Sequence, residues 1–201
     1  MSIALTGFLI GLSLIVAIGA QNAYLLRLGL SRNHVGTAVF ICTISDAILI
    51  FAGVAGMGKI IESQKTILKI ICWIGAIYLL YFAISALRRV MKSESLTPAS
   101  EIGLSKKQAV VSVLGFTWLN PHVYLDTLLL AGSIGGRYGI HRWYFAIGSS
   151  LASLVWFTSL GYGAKALSKY MSRPITWKIL DLFISVVMSI ISISLIRTAI
   201  G

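Results

Sequence analysis

Two carboxylates sit deep inside apolar stretches of this 201-residue chain: Asp46 and Asp126. A carboxylate near the middle of a bilayer costs at least about 2.5–3.5 kcal/mol, so it persists only beside a partner, a wet cavity or a bound proton. Such a group can hold a proton and a cation in turn. The plainer alternative is an Asp tied to a buried Arg, an amide or backbone to fix helix packing. Polar residues that interrupt helices lie nearby in sequence. Gly19-Ala20-Gln21-Asn22 puts two small residues and two amides late in an apolar run. Side-chain amides compete for backbone groups, so a break at Gly19 would expose N–H and C=O groups, which is tolerable only beside a cavity or packed protein. A small-residue helix contact explains the same four residues equally well. At Asn120-Pro121 the missing proline N–H strips the Thr117 carbonyl of its helical donor. Thr117, Asn120, Tyr124 and Thr127 recur at spacings of 3, 4 and 3, which places them on one helix face. Asp126 falls off that face in a straight helix, and a kink at Pro121 would have to bring it round.

Other polar groups read as structural. Gly53, Gly56 and Gly58 suit close backbone approach, and Ser185, Ser189 and Ser192 form a polar seam. His34 and His141 fall in short linkers, and His122 has no metal-ligand spacing. Gly148-Ser149-Ser150 lacks a base partner, so no catalytic nucleophile is expected and the chain is not read as an enzyme. Cys42 and Cys72 lie in apolar blocks without Cys-x-x-Cys spacing. Neither a metal nor a cofactor is expected.

The elements that must position these groups are transmembrane helices. Apolar residues make up 57% of the chain and charged ones only 11%, too few to cover a soluble surface. Six apolar blocks are each long enough to span a bilayer: about Ile3 to Leu26, Val35 to Ile61, Ile67 to Leu87, Ala109 to Ile134, Trp143 to Leu167 and Trp177 to Ile200. The first lacks a basic n-region and reads as a retained helix rather than a signal peptide. The expectation is an all-α integral membrane protein, one membrane domain over residues 1–201, with lipid bilayer as solvent. The net charge of +11 lies between the blocks, without a recognisable module, so nucleic-acid binding is excluded. It fits topology control.

The polar linker at about 88–108 divides the chain into halves of about 1–90 and 105–201. Eleven Lys and Arg fall in the linkers after the first, third and fifth blocks, against six on the other side. The positive-inside rule therefore puts linkers 27–34, 88–108 and 165–178 in the cytoplasm and both termini outside. Asn22-Ala23 resembles Asn120-Pro121. Ser45, Ala47, Phe51, Gly56 and Gly58 align at one offset with Ser150, Ala152, Trp156, Gly161 and Gly163. Three helices per half is an odd number, so the halves are expected as inverted repeats with a site at their interface.

The motifs Gly19-Ala20-Gln21-Asn22-Ala23, Ile44-Ser45-Asp46 and Thr117-Trp118-Leu119-Asn120-Pro121-His122-Val123-Tyr124-Leu125-Asp126 closely resemble the lysine/arginine exporter family. So do Trp73-Ile74-Gly75-Ala76-Ile77-Tyr78-Leu79-Leu80 and Ala152-Ser153-Leu154-Val155-Trp156-Phe157. The likeness spans nearly the whole chain, and Thr-Trp-Leu-Asn-Pro-His is its most specific stretch. One departure stands out: the family usually carries Gly-Pro-Gln-Asn in the first helix, and here Ala20 replaces the proline. The resemblance implies export of L-arginine, L-lysine or a related basic amino acid across the bacterial inner membrane. It carries a functional role onto Gln21, Asn22, Asp46, Asn120, Pro121, Tyr124 and Asp126.

Moving one positive charge outward against 100 mV costs about 2.3 kcal/mol. Exchange for an incoming proton cancels that charge movement, so protons are the expected coupling ion and Asp46, then Asp126, the expected carriers. Gln21, Asn22 and Asn120 would hold the substrate's α-amino and α-carboxyl groups. The alternatives are an exporter of neutral amino acids of the homoserine/threonine type and, in another class, a thiol-redox carrier using Cys42 and Cys72. The oligomeric state stays open, a homo-oligomer included.

Overall fold

The computed structural model describes residues 2–16, 19–57, 65–91, 105–170 and 174–200. Among them every regular element is helical. In chain order they are α1 (Ile3–Ile15), α2 (Ala20–Leu30), α3 (Val35–Ala52), α4 (Lys65–Met91), α5 (Lys106–Trp118), α6 (Pro121–Tyr124), α7 (Gly132–Gly136), α8 (Arg142–Leu167) and α9 (Pro174–Ile200). A π-helical turn, Gly53–Met57, extends α3, and another, Leu125–Ala131, joins α6 to α7. Gly58, in the glycine trio singled out above, lies outside the described residues.

Four helical stretches are long and apolar enough to cross a membrane: Val35–Met57, Lys69–Met91, Gly139–Leu167 and Ile175–Ile200. The pair α1 and α2, which meet at 82°, makes a fifth where it is counted as one broken span rather than a re-entrant loop. Ala20 is thus no obstacle to a break here. The expected fourth span comes in two pieces, because α5 ends at Trp118 and α6 begins at Pro121. The helix cannot run through proline without losing a donor and clashing one turn back. The outer surface is apolar, with Phe40, Ile77, Ile179 and Ile190 each more than 60% exposed. Water would penalise such a surface, whereas hydrocarbon does not.

Two helix pairs hold the molecule together. α4 and α9 pack along their lengths through small residues, with Ala76, Ala83 and Ala86 buried. Two of the three expected seam serines cross this interface. Ser185 Oγ donates to the Ala83 carbonyl at 3.0 Å and Ser192 Oγ to the Ala76 carbonyl at 2.9 Å. In hydrocarbon, close packing and such bonds replace the hydrophobic drive. α1 lies on α8, where a Cβ on Gly7 would collide with the backbone of Phe145, and one on Gly148 with that of Ala4.

The two π-helical turns meet each other. A Cβ on Gly53 would lie 2.6 Å from the Thr127 carbonyl oxygen, and one on Gly132 would lie 2.6 Å from the Gly53 carbonyl carbon. Both positions need glycine for this approach. An aromatic layer fills the opposite half. Phe116 is fully buried against Tyr24 at 4.6 Å, Phe82 at 4.6 Å and Tyr78 at 5.2 Å between ring centroids.

Candidate functional site: a carboxylate-lined cavity between the broken helices

A cavity of about 380 Å³ lies where α1, α2, α3, α6 and α8 converge. Small-molecule sites fall in the range of about 300–1,000 Å³. Its wall includes Gly19, Gln21 and Asn22 at the first break, Asp46 on α3, and Asn120, His122 and Asp126 at the second. Ser149 and Ser153 of α8 complete the polar lining. Ser149 and Ser153 fall in the first half of α8, and Asp46 in the second half of α3. The cavity is therefore displaced away from the ends that carry linkers 27–34 and 165–178.

Asp46 is 3% exposed. Ser153 Oγ donates to its Oδ2 at 3.1 Å, while Oδ1 is buried without a hydrogen-bond partner. The Gln21 amide lies close enough to interact with the Asp46 carboxylate, yet its nitrogen is buried and makes no well-formed hydrogen bond. Two adjacent buried polar atoms without partners are costly, and both belong to the cavity wall. Asp126 is half-buried and shares the cavity wall with His122 and Asp46. The π-helical turn that begins at Leu125 widens the helical spacing, so Asp126 joins Asn120 and Thr127 at the cavity, whereas a straight helix would turn it off their face.

The two asparagines act on the breaks themselves. Asn22 Nδ2 donates to the Ile15 carbonyl at 2.7 Å, and its Oδ1 accepts from Trp156 Nε1 at 3.2 Å. Its amide thereby ties the start of α2 to the end of α1 and to α8. Asn120 Oδ1 accepts from the His122 N–H at 3.2 Å, capping α6. The Gln21 amide nitrogen, by contrast with that of Asn22, is buried without a hydrogen-bond partner. The first turn of α2 has no side-chain cap, and a Cβ added to Gly19 would meet open space. Tyr124 lies outside the cavity wall; its hydroxyl donates to the Trp118 carbonyl at 2.6 Å across the break. Pro121 begins α6, the first helical position, which suits it. Thr117, fully buried, returns its hydroxyl to the Val113 carbonyl at 3.0 Å.

Sequence reasoning missed Asp181. It is 5% exposed on α9 and accepts from Arg89 at 3.1 Å (Nε to Oδ2) and 2.9 Å (Nη2 to Oδ1). Arg27 Nε approaches it at 3.5 Å. An acid near the start of the sixth apolar block, on the Arg-rich side, was the available signal. Cys42 and Cys72 are both buried, and neither forms a disulfide.

The sequence has relatives. The chain is 36% identical to the lysine exporter LysE of Corynebacterium diphtheriae, with 98% of this chain and 99% of the relative aligned. It is 35% identical to the lysine exporter LysE of Corynebacterium efficiens, over the same shares. It is 40% identical to the putative amino-acid transporter YggA of Aeromonas salmonicida, over 92% of this chain and 90% of the relative. No solved structure matches. The sequence profile of the LysE type translocators matches residues 12–199. With that match over nearly its whole length, the chain belongs to the LysE type translocator family.

Proposed function

We propose that the protein is a secondary transporter that exports basic L-amino acids, lysine or arginine, from the cytoplasm of a bacterial cell in exchange for protons. The observation that carries this reading is the charge of the cavity. Two carboxylates line it, and among its described lining residues there is no Lys or Arg, in a chain of net charge +11. A cavity so lined attracts cations and repels acidic substrates. The names of two relatives, lysine exporters, support the same class. Neutral amino acids would leave the two carboxylates uncompensated.

In this reading Asp46 receives either a proton or the substrate's cationic group, and Asp126 with His122 forms the cavity mouth. The uncapped first turn of α2 and the Gln21 amide receive the α-carboxylate, since a helix N-terminus favours an anion. Six spans as two inverted repeats account for the paired breaks at Gly19 and Asn120, the α4–α9 pair and the facing π-helical turns. The Lys- and Arg-rich linkers 27–34, 88–108 and 165–178 then face the cytoplasm. The aromatic layer closes that side, and the cavity faces outward.

Counterflow in liposomes tests the reading. Vesicles preloaded with unlabelled lysine or arginine should accumulate the labelled amino acid, and an imposed proton gradient should drive net movement. Absence of counterflow for both basic amino acids, or an equal response to threonine or homoserine, would overturn it. Flux indifferent to the proton gradient would remove the proton from the scheme.

A further inference from the structure

The Arg27–Asp181–Arg89 cluster lies outside the cavity, and the proposed mechanism does not use it. The carboxylate is nearly sealed, with 7% of its side chain exposed, while the side chains of Arg27 and Arg89 are 19% and 30% exposed. The arginines therefore cover the acid from solvent. They do so unequally. Arg89 makes a two-pronged pair at 2.9 and 3.1 Å, the strong form of guanidinium–carboxylate contact. Arg27 stands off at 3.5 Å, beyond the roughly 2.7–2.9 Å of a good charge-assisted bond. Arg27 is the displaceable partner.

Its position matters. Arg27 sits in the last turn of α2, and Gln21 in the first turn lines the cavity. Six residues of helix separate them by about 9 Å. Tyr24, between them in sequence, belongs to the aromatic layer. With both arginines in place the cluster carries a net positive charge, so a cationic amino acid cannot simply add to it; it can only take a resident's place. Arg27 already demonstrates what a guanidinium does at this acid.

Taking the cargo to be a basic amino acid, as above, we propose that Asp181 is a second cation station, on the linker side of the aromatic layer. Arg27 occupies it as an internal surrogate until the side chain of an incoming arginine or lysine displaces it. Displacement frees the far end of the helix whose first turn forms the cavity wall. The resident arginine thus competes with cargo, and a site occupied by it nine-tenths of the time shows an affinity about tenfold too weak.

Uptake of labelled L-arginine into inverted membrane vesicles reads the linker face. Arg27→Gln should lower the half-saturating arginine concentration about tenfold. Arg27→Lys, which retains a charge but not the fork, should lie between Arg27→Gln and wild type, and it carries the test if Arg27→Gln fails gel filtration. Adding Asp181→Asn to either variant should abolish the gain. An unchanged or raised half-saturation in a folded Arg27 variant, or a gain that survives Asp181→Asn, overturns the station. Vesicles whose wild-type protein takes up neither arginine nor lysine overturn the cargo reading instead.

Discussion

Asp46 and Asp181 are both almost fully buried acids on membrane-embedded helices, yet their surroundings are opposite. Asp181 has each carboxylate oxygen engaged by a guanidinium. Asp46 has one serine hydroxyl on one oxygen, none on the other, and a cavity in front of it. A satisfied charge holds helices together. An unsatisfied one in a cavity is a cost that the fold keeps, and transporters retain such groups where something polar must pass. The difference separates an acid that ties α9 to its neighbours from one that waits for a partner.

Substitutions should pull these two acids apart. Asp46→Asn should cut arginine or lysine counterflow by about 100-fold or more, the scale expected when a charged partner is lost. Its melting temperature in detergent should stay level or rise, because a poorly paired buried charge is gone. Wild-type flux in that variant would leave Asp46 without a transport role. Asp181→Ala should instead destabilise the fold by about 3 kcal/mol, near the low end for a broken buried pair because both arginines reach solvent. Thermal unfolding by intrinsic fluorescence measures it, and an unchanged melting point would dissolve the contrast. Gly53→Ala or Gly132→Ala should cost about 1–3 kcal/mol through overpacking at the crossing of the π-helical turns, with flux lost in proportion to Asp126 leaving the cavity. Smallest is Ser153→Ala, which removes the hydroxyl on Asp46. About 1 kcal/mol, or a severalfold change in the pH dependence or half-saturation of export, is expected, with stability nearly unmoved.

The membrane character and the four long apolar helices were legible because crossing a bilayer leaves long uninterrupted signals. So was Asp46, whose charge is conspicuous in an apolar run. The face of Asp126 was not, since a period of 3.6 assumes a regular helix and a π-helical turn intervenes at Leu125. Asn22 and Asn120 were legible as polar groups, but their bonds to Ile15, Trp156 and His122 come from tertiary geometry that spacing does not encode. Asp181 escaped notice because it sits beside Trp177 and Lys178 and looks like an interfacial residue. Its partners are 92 and 154 positions away in the chain. No local pattern links them; only an odd acid on the basic side hinted at a fixed counter-ion.

The contact of Gly53 with Gly132 has a mechanical side. Where helices usually meet, flexible side chains lie between them and absorb small shifts by changing rotamer. Here main chain rests on main chain, so nothing compressible separates the end of α3 from the turn that carries Asp126. A tilt of one is handed to the other undiminished, as between two meshed teeth. Residues more than seventy positions apart in the chain therefore share one degree of freedom.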